Sequence, residues 1–213
     1  MGTVTIAAAY GAGGSVVAPA VAERLGLPLV DRAIPVSLAH ELAGPLQEAL
    51  AEDERRQPGL VGRVLLRAID LSGLLVNVPV PAHGLGADEH VAATEEALRR
   101  AADRGGAVVL GRAGVFVLRN RPDTLHVRLD GRPAARLRQA MAHEGLDQAT
   151  AAAQLRETDR ARSAYVRHFH PGERWEDPAN YHVVLDSTGV SLVACVDIIV
   201  AAARDVFATA SRS

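Results

Sequence analysis

Short apolar runs alternate along this chain with longer stretches of helical periodicity, and that alternation predicts its elements. Residues 3–9, TVTIAAA, begin β-branched and stay apolar, the mark of a short buried strand. The turn YGAGG (10–14) follows, then a predicted helix over 15–25, SVVAPAVAERL, with Ser15 at its start and Gly26 at its end. Pro19 constrains that helix: an interior proline costs about 3 kcal/mol, so its place is expected near the first turn. LPLVDR (27–32) reads as a second strand and closes a βαβ unit.

The next segment, 33–90, has a different character. It holds several prolines, the charge cluster AEDERRQ (51–57) and an apolar helical stretch over 60–75, then a weakly periodic loop over 76–90. It reads as a helical insertion. Beyond it the pattern predicts a helix over 91–104, a strand at AVVLGR (107–112), a short helix around 113–118 and a strand at TLHVRLD (124–130). A helix over 131–145 has Pro133 near its start, and Asp147 is placed to cap another running to about 168. YHVVLDST (181–188) is the last strand, and 191–207 the last helix, with Leu192, Val193, Val196, Ile199, Val200, Ala203 and Phe207 at helical spacing.

Five strands alternating with helices predict a single α/β domain over 1–213, with a five-stranded parallel sheet covered on both faces. In such sheets the ligand site lies beyond the carboxyl ends of the strands. Three conspicuous sequences fall there: YGAGGS after the first strand, Asp31–Arg32 after the second and Gly111–Arg112 after the third.

Composition narrows the chemistry. Aromatics are only 3% of the chain, so the core is built from Ala, Val and Leu. The net charge of −2 gives no electrostatic argument for nucleic acid or a membrane as partner. Cys195 is the single cysteine, the opening MGTVTIAAAYGAGG has no basic n-region, and no apolar run reaches membrane-spanning length. The expectation is a cytoplasmic protein. All 23 basic residues are arginine, which excludes a lysine base, a Schiff base and the usual P-loop lysine.

Gly11, Ala12, Gly13, Gly14 and Ser15 form a glycine-rich strand-to-helix turn, where backbone N–H groups and a helix N-terminus favour phosphate. Against G-x-x-x-x-G-K-[ST] the match is degenerate. Ser15 takes the hydroxyl position and Gly13 the second glycine, but Ala8 replaces the first glycine and Gly14 the lysine. Ser15 is the candidate Mg²⁺ contact. A tight βα turn with no ligand fits the same spacing. The helix LRETDRARSAYVRHF (155–169) carries Arg156 and Arg160 on one face, with Arg162 about 120° away from Arg156 on a straight helix. Such arginines suit phosphoryl transfer on a closing lid, but on the residues alone a solvated face neutralised by Glu157 and Asp159 is the better fit. His168 and His170 lack further ligands at metal-site spacing. Asp186 is placed to cap a turn.

Taken together, VTIAAAYGAGGSVVAPAVAERLGLPLVDR (4–32), VVLGRAGVFVLRNRPDTLHVRLDGRPAARLRQAM (108–141), ETDRARSAYVRHFH (157–170) and DPANYHVVLDST (177–188) resemble the cytidylate kinase-like proteins. These are a branch of the P-loop nucleoside monophosphate kinases, whose turn is similar to Y-G-S-G-G-R-E. The lysine-free turn is therefore shared, while Ser15 and Val16 stand at the Arg-Glu positions. The resemblance implies a three-layer P-loop NTPase-like α/β/α fold with an acceptor-binding insertion (33–90) and an arginine-rich lid (147–175). It implies ATP phosphates on the YGAGGS turn, with Mg²⁺. Asp31, Arg32, Arg112 and Arg136 would belong to the acceptor site, and Arg156, Arg160 and Arg162 to the lid. The implied reaction is phosphoryl transfer from ATP to a nucleoside monophosphate, CMP or dCMP first. A silent nucleotide-binding protein and a kinase for another small acceptor are the alternatives.

Overall fold

The structure is a computed structural model that describes residues 2–31, 87–111 and 113–212. Arg32, Arg112 and nearly all of the expected 33–90 insertion lie outside the described residues. The described elements are β1 (Thr3–Ala8), α1 (Gly14–Leu25), β2 (Leu29–Asp31), α2 (Ala87–Asp103), β3 (Val108–Leu110), α3 (Gly114–Val117), β4 (Thr124–Asp130), α4 (Pro133–Glu144), α5 (Gln148–Phe169), a 3₁₀ turn (Pro178–Asn180), β5 (Val183–Asp186) and α6 (Leu192–Ala210). The strands form one sheet in the order β2-β3-β1-β4-β5, and every pairing is parallel.

The punctuation residues act as the sequence predicts. Gly26 takes a left-handed φ of 64° and ends α1. Pro133 opens α4, and the Asp147 carboxylate accepts from the N–H groups of Ala149 and Thr150 at the head of α5. Asp186 likewise accepts from the Thr188 hydroxyl and from the N–H groups of Thr188 and Gly189, and those bonds, the hydroxyl's first, hold its carboxyl below the usual range. Pro19 departs from expectation. It is the sixth residue of α1 rather than a first-turn residue, so Ser15 C=O has no N–H partner one turn ahead.

The two faces of the sheet differ in chemistry. Val4, Ile6, Val108, Leu110, Leu125, Val127 and Leu129 pack with α1 and α6 through Val17, Val21, Cys195 and Ile199. On the other face Ala7 meets Val115 of α3, and Val109 meets Leu98 and Ala101 of α2. There, however, β1 and β4 also bury Thr5, His126 and Arg128. A buried cation is tolerated only with partners. Arg128 donates to Asp130 Oδ2 at 2.6 Å and to Trp175 C=O at 2.9 Å, and its guanidinium stacks 4.2 Å from the Trp175 ring centre. Tyr181 O–H donates to the same carbonyl at 2.7 Å, and burial pushes that phenol up to about 12. The loop after α5 is thereby pinned beneath β4.

His126 completes this polar face. Its Nδ1 lies 2.7 Å from Thr5 Oγ1, its ring stacks on His182, and its own N–H donates to His182 Nδ1 at 2.9 Å. Burial first, then the neighbouring His182 and Arg119, pushes His126 down to about 4. The ring is neutral at pH 7. Between about pH 6.5 and pH 4 the unfolded chain binds a proton that the folded chain refuses. This contribution is thus complete above about pH 6.5 and falls as pH drops, by on the order of 3 kcal/mol at most. Urea unfolding from pH 7 to 4 is expected to show that loss, and His126→Gln to flatten the His126 part of the slope. An unchanged slope in the variant would contradict a neutral, buried His126.

Candidate active site

The five parallel strands all end at the same carboxyl edge, and the turn after β1 lies there. Ala9 N–H donates to Leu129 C=O at 3.0 Å, and Gly111 N–H to Ile6 C=O at 3.1 Å. Ser187, just beyond β5, donates its hydroxyl to Ala12 C=O at 2.7 Å. Its own N–H donates to Asp130 C=O at 3.0 Å. The turn is therefore held by the end of β4 and by the segment just beyond β5 before any helix is considered.

Glycine is required here by close approach. A Cβ on Gly11, whose φ is +74°, would fall 2.3 Å from the Arg136 carbonyl oxygen. A Cβ on Gly14 would fall 2.5 Å from the Cβ of Ala8. Ala8 and Gly14 are the two positions at which the turn departs from the usual phosphate-loop pattern. The alanine at the first position is accommodated because the residue at the lysine position has no side chain. Gly13, at φ 74°, hands the chain into α1. No side chain caps α1, no acidic residue stands in its first turn, and Ser15 is its second residue. The first-turn N–H groups suit an anion, and the Ser15 hydroxyl suits a hard cation held jointly with phosphate oxygens.

The three arginines of α5 separate. Arg156 and Arg160 are exposed, as is Glu157. Arg162 turns inward, its side chain 11% exposed, and donates Nη1 to Ala8 C=O at 2.7 Å. The helix is a single element over Gln148–Phe169, so the three do not converge on one point. Its inward face carries Ala151, Gln154, Thr158, Tyr165 and Val166, which seat it on the domain. Asp31 ends β2 in register with Leu110 and is half-buried.

Arg136 is placed differently from its expected acceptor role. It is buried and donates Nη1 to Tyr10 C=O at 2.9 Å, Nε to Gly131 C=O at 3.0 Å and Nη1 to Asp159 Oδ2 at 2.7 Å. With these partners it braces the turn from behind. Asp159 is the other half of the brace, because its Oδ1 accepts from Tyr10 N–H at 3.1 Å. Tyr10 is buried, donates its hydroxyl to Glu144 Oε2 at 2.6 Å and has Gln154 against the same oxygen. Sequence spacing marks the Asp159–Arg162 pair. Nothing in it marks Tyr10, Glu144, Gln154 or Ser187, whose partners are brought together only by the fold.

The model of the cytidylate kinase-like family matches residues 3–189. Among solved structures, an uncharacterized protein from Eubacterium ventriosum ATCC 27560 matches with a TM-score of 0.64 at 17% identity, over 96% of this chain and 99% of that one. A gluconokinase from Sinorhizobium meliloti 1021 matches with a TM-score of 0.50 at 16% identity, over 98% and 94% of the two chains. At these identities the likeness shows the fold alone, a parallel five-stranded sheet between helical layers. No curated protein matches the chain at a significant level. Among the described residues no helix is long and apolar enough to cross a membrane.

Two substitutions test the brace. Asp159→Ala removes the closer of the two carboxylates beside the buried Arg136 guanidinium, leaving Asp130 at 3.7 Å, and is expected to cost about 3 kcal/mol in urea unfolding. Gly11→Ala combines a positive φ with a backbone clash and is expected to cost at least about 2 kcal/mol. A cost below about 0.5 kcal/mol for either would show that the turn tolerates losing that support.

Proposed function

The chain belongs to the cytidylate kinase-like family, and from that premise we propose that it transfers the γ-phosphoryl group of ATP to a nucleoside monophosphate, CMP or dCMP first, with Mg²⁺. The observation that carries this reading is the uncapped, acid-free start of α1 beneath a rigid glycine turn at the carboxyl edge of the sheet. The N–H groups around Gly11, Ala12, Gly13, Gly14 and Ser15 would hold the polyphosphate. The Ser15 hydroxyl would contribute to Mg²⁺, which when bound neutralises charge on the transferring group. Arg162, at the base of the turn, would stabilise charge there in place of the absent lysine. Arg156 and Arg160, exposed on the same helix, would reach the nucleotides as the lid closes and excludes water. Asp31, Arg32 and Arg112 would contribute to the acceptor site, with the 33–90 segment selecting the acceptor. No covalent intermediate is needed, because catalysis is positioning plus charge neutralisation.

A second reading is favoured by a specific observation. Arg136 and Arg162 are both engaged with internal partners, and Gly14 supplies no cation. A nucleotide-binding protein without turnover would have this arrangement too.

The deciding assay is ADP formation from ATP and Mg²⁺ with a panel of nucleoside monophosphates and with gluconate-type polyols, against controls without acceptor. Turnover confined to CMP or dCMP is expected, and Arg162→Ala is expected to lower kcat by about 10³-fold. Turnover with a non-nucleotide acceptor alone would reassign the substrate. ATP binding with no turnover on any acceptor would establish the silent reading.

A further inference from the structure

We propose that Tyr10 is a positioning residue that couples the arginine-rich helix α5 to the phosphate turn. The use made of that coupling rests on the kinase reading, but the coupling itself does not. Each polar group of Tyr10 is held by a different partner. Asp159 of α5 accepts from its N–H at 3.1 Å, and Arg136 of α4 donates to its C=O at 2.9 Å. Glu144 at the end of α4 accepts from its hydroxyl at 2.6 Å, and Gln154 of α5 lies against the same hydroxyl. A residue needed only to bend the chain requires no such set. Tyr10 is a buried peg between two helices, at the first position of the turn that Gly11 and Gly13 continue.

The connection continues along α5. The Ser163 hydroxyl lies 3.1 Å from Asp159 C=O and against the Glu176 carboxylate. Trp175 Nε1–H donates to Ser163 Oγ at 3.0 Å. Trp175 is buried, and Arg128 is stacked over its ring. Two links therefore tie the turn to α5, Tyr10 N–H to Asp159 and the Tyr10 hydroxyl to Gln154, and Asp159 and Ser163 carry the connection on to the loop beneath β4. Displacing Tyr10 displaces the helix that carries Arg156, Arg160 and Arg162. Moving that helix disturbs the turn by the same coupling, since coupling free energies are reciprocal. Spatial continuity alone does not establish coupling, so a cycle of variants is required.

Trp175 is the only tryptophan in the chain and reports directly on the far end of that connection. The test uses the full chain with Tyr10→Phe, which keeps the ring and removes the hydroxyl, with Ser163→Ala, and with the double variant. Acrylamide quenching of Trp175 is measured without ligand, and ATP·Mg²⁺ binding is measured separately by equilibrium dialysis. Tyr10→Phe is expected to raise the quenching constant at least threefold, and adding Ser163→Ala to it is expected to raise it little further. ATP, where bound, is expected to shift Trp175 emission in the parent chain and not in Tyr10→Phe, with the dissociation constant changed less than threefold. Quenching equal to the parent in Tyr10→Phe, or effects of the two substitutions that simply add, would overturn the coupling. Failure of the parent chain to bind ATP would end the kinase reading and leave the ligand-free quenching to decide the coupling alone. If Tyr10→Phe does not fold, Gln154→Leu removes a partner of the same hydroxyl and is held to the same outcomes.

Discussion

A single carboxylate, Asp159, sets the geometry of the carboxyl edge. One of its oxygens accepts from the backbone N–H of Tyr10, and the other from the guanidinium of Arg136. Arg162, one helical turn further along α5, inserts its own guanidinium onto the last carbonyl of β1. Removing the carboxylate would take from Arg136 its closer ion-pair partner, leaving Asp130 at 3.7 Å, and from the Tyr10 N–H its acceptor. Buried charge is tolerable only in such compensated sets. The same set gives the turn a fixed shape before any ligand arrives, and preorganised donors act on developing charge without reorganising.

That constraint gives α5 two distinct sides. The inward side, from Ala151 to Val166, belongs to the body of the domain, while Arg156 and Arg160 remain in solvent. The arginine-rich segment is thus a seated helix with an exposed basic edge. A closing motion would carry the edge with the seat, through Asp159 and Tyr10. The polar second face of the sheet has a related purpose. Arg128 and Trp175 anchor the loop that follows α5, so the helix is held at its middle by Asp159 and beyond its end by the β4 face.

Much of the fold is legible in the sequence because local signals agreed with the tertiary outcome. The strand over 124–130 is observed with the bounds its pattern predicts, and Gly26, Pro133 and Asp147 punctuate the helices as their chemistry requires. Pro19 was misplaced because α1 starts at Gly14 and buries its face well enough to keep an interior proline. The glycine turn was legible as a turn. Its compensation between Ala8 and Gly14 is not, because it depends on the Ala8 methyl filling the space a side chain at Gly14 would need across the strand-to-helix junction. The sequence places Arg136 at the acceptor site, and nothing local shows that Tyr10, Gly131 and Asp159 converge on it. Such partners lie 5 to 126 residues away along the chain, beyond the reach of any spacing rule.

The most direct test of the account is amide hydrogen exchange at Tyr10, followed by NMR in the full chain and in Asp159→Ala. With the carboxylate in place, Tyr10 N–H is expected to exchange as slowly as the amides of β1. Without it, exchange at Tyr10 is expected to quicken by at least about a hundredfold more than at the β1 amides, which share only the global loss of stability. A Tyr10 amide that exchanges freely in the parent chain, or one that the substitution leaves unchanged, would contradict the central role given to Asp159.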